Sequence, residues 1–126
     1  MAWRYNLSSP IATVDSYLDA SEEKDLGRMV GCWYFADPAD RDLFINMTGV
    51  LFENVVLIDI SNIDKEVTAE TENTATVNAS YHVTMDFTAE SGIPDVDEDI
   101  TATYDLERHN EDWLIVSLVY ISIKHQ

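Results

Sequence analysis

Ala75-Thr76-Val77-Asn78-Ala79-Ser80-Tyr81-His82-Val83-Thr84-Met85-Asp86-Phe87 alternates without a break, with Ala75, Val77, Ala79, Tyr81, Val83, Met85 and Phe87 on one side and polar residues on the other. A period of two is the mark of a strand, because a helix would spread both sets around its circumference. One face of this strand must be covered by the rest of the chain, and the other is free to meet water or a partner.

Outward from this strand the chain divides into a helical half and a stranded half. Before it, Val55-Val56-Leu57-Ile58-Asp59-Ile60 is rich in β-branched residues and predicts a long, bent or bulged strand reaching toward Thr71. After it, Ala89 to Asp99 reads as a turn or loop marked by Gly92, Pro94 and an acidic run. A third strand then places Ile100, Ala102, Tyr104 and Leu106 inward. The last strand, Trp113 to Ile123, is apolar at almost every position and reads as covered on both faces for much of its length.

Upstream of Val55 the apolar spacing becomes helical. Ser9 is an N-cap ahead of Pro10, and Ile11, Val14, Tyr17 and Leu18 predict a helix from Pro10 to about Ala20. Asp25 caps a shorter helix with Leu26, Met29 and Val30 inward. Asp37 and Pro38 open a third, with Leu43, Phe44, Met47, Val50 and Leu51 as its buried stripe. Three helices followed by four antiparallel strands define an α+β domain spanning residues 10–126, after an N-terminal arm of residues 1–9 in which Trp3 and Tyr5 pack loosely on the body.

Composition narrows the partners. Twenty-four acidic residues against seven basic ones give a net charge of −17, and the basic residues are scattered singly. Such a surface repels nucleic acid and anionic membranes. The single cysteine, Cys32, excludes an internal disulfide and reads as a small buried hydrophobe. His82, His109 and His125 have no metal-site spacing, and Asp95, Asp97 and Asp99 read as a solvated loop, so neither a metal nor a cofactor is expected. No membrane-length apolar run is present. The chain reads as soluble and cytoplasmic by default, and a removed export or lipid-anchor segment would leave no trace in it.

The helix from Pro10 carrying Tyr17-Leu18-Asp19-Ala20, the short helix after Lys24-Asp25-Leu26, the helix from Pro38 and the closing Asp112-Trp113-Leu114-Ile115-Val116 together resemble the nuclear-transport-factor-2-like superfamily. The nearest likeness is to small prokaryotic domains of unknown function that look like lumazine-binding or lipoprotein-borne members. The resemblance implies a cone of sheet closed by helices. Members of that superfamily include ketosteroid isomerases, polyketide cyclases and noncatalytic dimerisation or ligand-binding modules.

In the isomerase-like enzymes a tyrosine of the first helix polarises a carbonyl and a carboxylate beyond the second helix moves a proton. Tyr17 lies in the matching helix, and Asp37 or Asp40 near the matching bend. A second acid expected on the third strand is replaced by Ala102 or Tyr104. Tyr17 also reads as a core residue beside Leu18, and Asp37 as a cap, so no convergent acid, base or nucleophile stands out.

The reading that results is a noncatalytic domain for a small apolar ligand or a protein partner, with a proton-transfer enzyme as the rival. The ring of Tyr17, together with Trp33, Tyr34 and Phe44, is a candidate wall for a pocket. Phe52, Tyr81, Tyr104 and Trp113 complete it. A homodimer through the sheet is expected, because a last strand bearing Leu114, Val116, Leu118 and Tyr120 would otherwise be an aggregation hazard.

Overall fold

In the computed structural model, which describes residues 6–124, three helices precede four strands: α1 Pro10–Glu22, α2 Leu26–Gly31, α3 Pro38–Asn54, β1 Val55–Glu70, β2 Thr74–Phe87, β3 Val96–His109 and β4 Asp112–Lys124. The strands form one antiparallel curved sheet in the order β1-β2-β3-β4. Trp3, Tyr5 and His125 lie outside the described residues.

The alternation in β2 becomes burial as the sequence requires. Ala75, Val77, Ala79 and Val83 are buried, while Tyr81, Met85 and Phe87 are half-buried against the same core. The covering layer is α1, whose start is fixed by the Ser9 hydroxyl accepting the Ala12 N–H at 3.1 Å and by Pro10 at the first helical position. Val14 and Leu18 reach the core, and the fully buried Thr13 hydroxyl donates to the Trp113 carbonyl at 2.7 Å, tying α1 to β4. The helix runs two residues past the expected Ala20. No breaker intervenes until Lys24, whose φ of 55° ends the helical path.

The other edge of the covering layer is a short extended segment after α2. Tyr34 N–H donates to the Ile115 carbonyl at 2.9 Å and Ile115 N–H to the Cys32 carbonyl at 2.8 Å, so this segment closes the first half of β4's free edge. Cys32 is wholly buried there, and loss of hydration pushes its thiol up to about 12.

Three expectations need correction. The stripe assigned to α3 is turned by about one residue: Phe44, Leu51 and Phe52 face inward, half-buried together with Thr48, whereas Leu43, Met47 and Val50 are 57%, 65% and 59% exposed. Spacing reveals which side chains share a face, but not which face meets protein, and Thr48 masked the true inward row.

Second, β3 begins at Val96 rather than Ile100. The acidic run is a strand because Val96, Glu98 and Ile100 continue the inward alternation, leaving Asp97 and Asp99 on the solvent side. Third, β4 is not covered on both faces along its length. A bulge after Ile115 shifts the register, so Leu118 and Tyr120 lie on the cone side, Tyr120 still 61% exposed, and Val119, Ile121 and Ile123 point out, about two-thirds exposed. The bulge was invisible in a run whose only polar residues between Asp112 and Lys124 are Ser117 and Ser122, which fall on opposite faces of a regular alternation.

The β3–β4 turn is a two-residue loop in which Asn110 and Glu111 have φ of 51° and 73°. This primed geometry suits asparagine first and glycine second. Glu111→Gly is expected to raise unfolding stability by roughly 0.5–1 kcal/mol in urea titrations, by removing a left-handed strain at a solvent-exposed position.

Candidate functional site

The concave face of the sheet does not close on itself. Between it, α1 and the C-terminal half of α3 lies a cavity of about 390 Å³. Its floor is aliphatic, from Ile58 and Ile60 on β1, Val83 and Met85 on β2, and Ile100 on β3. Leu51 and Phe52 of α3 form one wall, and Leu118 and Tyr120 of β4 the other. Polar atoms are few, as expected of a site that holds its guest mainly by removing apolar surface from water.

The polar side chains that line it are the phenols of Tyr17, Tyr81 and Tyr120, the hydroxyls of Ser21 and Thr48, and Glu98. Tyr17 comes from α1, on the flank of the row that buries Val14 and Leu18, and its ring meets Tyr104 and Trp33 edge-on at 6.2 Å each. Burial, followed by the field of Tyr81, pushes the Tyr17 phenol far above its ordinary range. Trp33 pulls the other way, since its indole N–H stands near the Tyr17 oxygen; that N–H is nonetheless buried without a partner in hydrogen-bond geometry, so we treat the contact as electrostatic.

Tyr81 and Tyr104 continue the row. Their hydroxyls are 3.4 Å apart, a long hydrogen bond, and burial raises both phenols, more strongly for the fully enclosed Tyr104. All three phenols are therefore neutral at physiological pH. They can donate a proton in a hydrogen bond, and none can serve as a base.

Of the remaining pocket candidates, Phe52 and Tyr81 line this cavity with Tyr17, while Tyr104 sits behind Tyr81. Trp33 and Tyr34 face a second hollow outside the cone. Phe44 packs on Trp33 and Phe35 at 5.7 Å and 5.6 Å, and Trp113 is a buried core residue. Asp37 accepts the Ala39 N–H at 2.9 Å as the α3 cap, and Asp40 borders the second hollow; the cone is lined by neither.

Instead, the one charged side chain among the described residues lining the cone is Glu98, which accepts a hydrogen bond from the Ser122 hydroxyl across the β3–β4 pair. It escaped the sequence reading because it lay inside a presumed acidic loop. The signal was present in Val96-Asp97-Glu98-Asp99-Ile100, where every second residue extends the inward row of β3.

On the convex face, His82 of β2 is gripped from β3 by Asp97 at Nε2, 2.6 Å, and Asp99 at Nδ1, 2.8 Å. Two carboxylates can both accept only from a doubly protonated ring. The hydrogen bond to Asp99 first, and the charge of Asp97 and Asp99, raise the His82 pKa despite some desolvation. This pins the start of β3, whose other face carries Glu98. No group of side chains among the described residues could hold a metal ion.

No protein-family model and no curated protein matches the chain. Solved structures do match. A proposed dehydratase of the NTF2-like family from Streptomyces avermitilis is 17% identical with a TM-score of 0.72, over 90% of this chain and 93% of that one. A ketosteroid isomerase-like protein from Erwinia carotovora atroseptica is 15% identical with a TM-score of 0.74, over 98% and 100% of the two chains. A hexachlorocyclohexane dehydrochlorinase, LinA type 3, from Novosphingobium barchaimii is 10% identical with a TM-score of 0.66, over 89% and 85%. The chain thus has the NTF2-like fold, and at these identities the likeness extends to the fold alone. No helix among the described residues is long and apolar enough to cross a membrane.

The raised His82 pKa has a definite sign. Its contribution to stability is complete below the unfolded histidine value of about 6.5 and is lost as pH rises through the folded value. Thermal melts across neutral pH are expected to show wild type losing more stability toward alkaline pH than His82→Gln does; parallel profiles would contradict the ionic grip.

Proposed function

We propose that this domain binds a small, largely apolar molecule inside the cone, with an oxygen atom of that molecule accepting from Tyr17 at the inner end. The observation that carries this reading is the pairing of an aliphatic cavity of about 390 Å³ with half-buried, neutral phenols. The apolar walls supply most of the binding free energy through burial. The phenol supplies orientation, because a ligand oxygen stripped of water must find a donor there or lose affinity.

The binding role is noncatalytic in this reading. The cone's carboxylate, Glu98, is half-exposed and already engaged by Ser122, and Asp37 and Asp40 are directed elsewhere. Calorimetric titration with bicyclic ketones and naphthols is expected to give saturable binding that their parent hydrocarbons lack or make more weakly. Tyr17→Phe should weaken the oxygenated ligands by up to about tenfold and leave the hydrocarbons unchanged. Equal affinity for ketone and hydrocarbon, or no binding by either, would refute the proposal.

A second reading is favoured by Glu98 facing the same cavity as Tyr17. In it Tyr17 stabilises an enolate oxygen while Glu98 takes the proton from the adjacent carbon, a reaction in keeping with the isomerase-like and dehydratase-type proteins that share the fold. Deuterium exchange next to the carbonyl of a bound ketone, lost in both Tyr17→Phe and Glu98→Gln, would select it over simple binding.

We also propose that two copies pair through the convex face of the sheet. Asn78, Ser80, Thr101, Thr103, Val119 and Ile121 give that face an uncharged centre in a chain of net charge −17, which lets like surfaces meet without repulsion. Light scattering in physiological and elevated salt should give a dimer, and Ile121→Lys a monomer. A wild-type monomer under both conditions would rule the pairing out.

A further inference from the structure

We propose that the hollow beside the α2–α3 connection is a second binding site, separate from the cone, that takes a small organic cation of the alkylated ammonium class. The hollow measures about 370 Å³ and is bordered by the rings of Trp33, Tyr34 and Phe35 and by the carboxylates of Asp40 and Glu107. Trp33 and Phe35 are stacked, with centroids 5.7 Å apart and planes 14° from parallel, and with Phe44 they form an aromatic cluster that borders the hollow through Trp33 and Phe35.

Aromatic faces attract a cation through their quadrupole, and a bulky ammonium sheds water onto them at little cost. A compact metal ion finds too few oxygens in such a wall. Among the described residues no lysine or arginine lines the hollow, and the surrounding charge of −17 raises the local concentration of cations.

The chain already holds one ring in this chemical pattern. His109 lies flat on Tyr34, centroids 4.1 Å apart and planes 12° from parallel, with its Nε2 3.1 Å from Glu107. A nitrogen heterocycle thus rests on an aromatic face and a carboxylate together. Trp33 and Phe35, packed with Phe44, border the hollow together with Asp40, the same combination of aromatic ring and carboxylate. The amides at the start of α3, which would favour an anion, are satisfied by Asp37, whose side chain accepts from Ala39 and whose carbonyl accepts from Asp40.

The test is a titration of the whole chain with choline chloride at constant ionic strength, read from the aromatic side-chain resonances of Trp33 and Tyr34. The comparator is the neutral isostere in which carbon replaces the ammonium nitrogen. Saturable shifts with choline and none with the isostere are expected, weakened about three- to tenfold in Phe35→Leu and in Asp40→Asn. These side chains are at the surface or only half-buried, and circular dichroism checks that each variant keeps its fold. Equal shifts with the isostere would overturn the proposal, since charge would then play no part. So would unchanged affinity in both variants, which would assign the effect to the general negative field.

Discussion

The rest of the molecule depends on one apolar contact, the concave side of β2 beneath α1. Val77 and Ala79 are almost completely excluded from water beneath Val14 and Leu18, and Ala102, Tyr104, Leu106 and Ile115 carry the same layer across β3 and β4. Small residues matter as much as large ones here. Ala75, Ala79 and Ala102 let the helix approach the sheet at one end, while Tyr81 and Met85 farther along hold it off and leave the cavity. The cone is therefore open at one end for a steric reason already written into the alternate positions of β2.

That dependence explains what was legible beforehand. Where burial follows a simple period and polar residues mark the opposite face, as in Ala75 to Phe87, the strand, its orientation and the covering layer could all be read directly. The caps Ser9, Asp25 and Asp37 were equally plain, because each places a side-chain oxygen at the first unpaired amides of its helix. The α+β class followed from the order of these elements, and their residues resemble the NTF2-like architecture.

Legibility failed where a face is decided by something other than local pattern. In β4 nearly every residue is apolar, and the lone Ser117 beside the bulge beyond Ile115 was too little to reveal it. In α3 an inward threonine and an outward methionine reversed the usual compositional cue. Glu98 was hidden by its acidic neighbours, although Val96 and Ile100 bracket it at strand spacing. The aromatic residues, grouped as one wall from composition, are divided by the sheet and the α2–α3 connection into a phenol row inside the cone and a ring stack outside it. Composition supplies the rings, but topology decides which of them share a space.

The shallow seating of α3 has a kinetic side. None of its seventeen residues is fully buried, so peeling it from the cone exposes little new apolar surface compared with disturbing α1 or any strand. Elements with so little buried contact open at the lowest free energy. If the cone takes a guest as proposed, its passage through the mouth depends on how readily this helix lifts, a step separate from the grip of the floor and the phenols. Because Leu51 and Phe52 both hold the helix down and line the cavity, substitutions there would then change a guest's passage and its fit together.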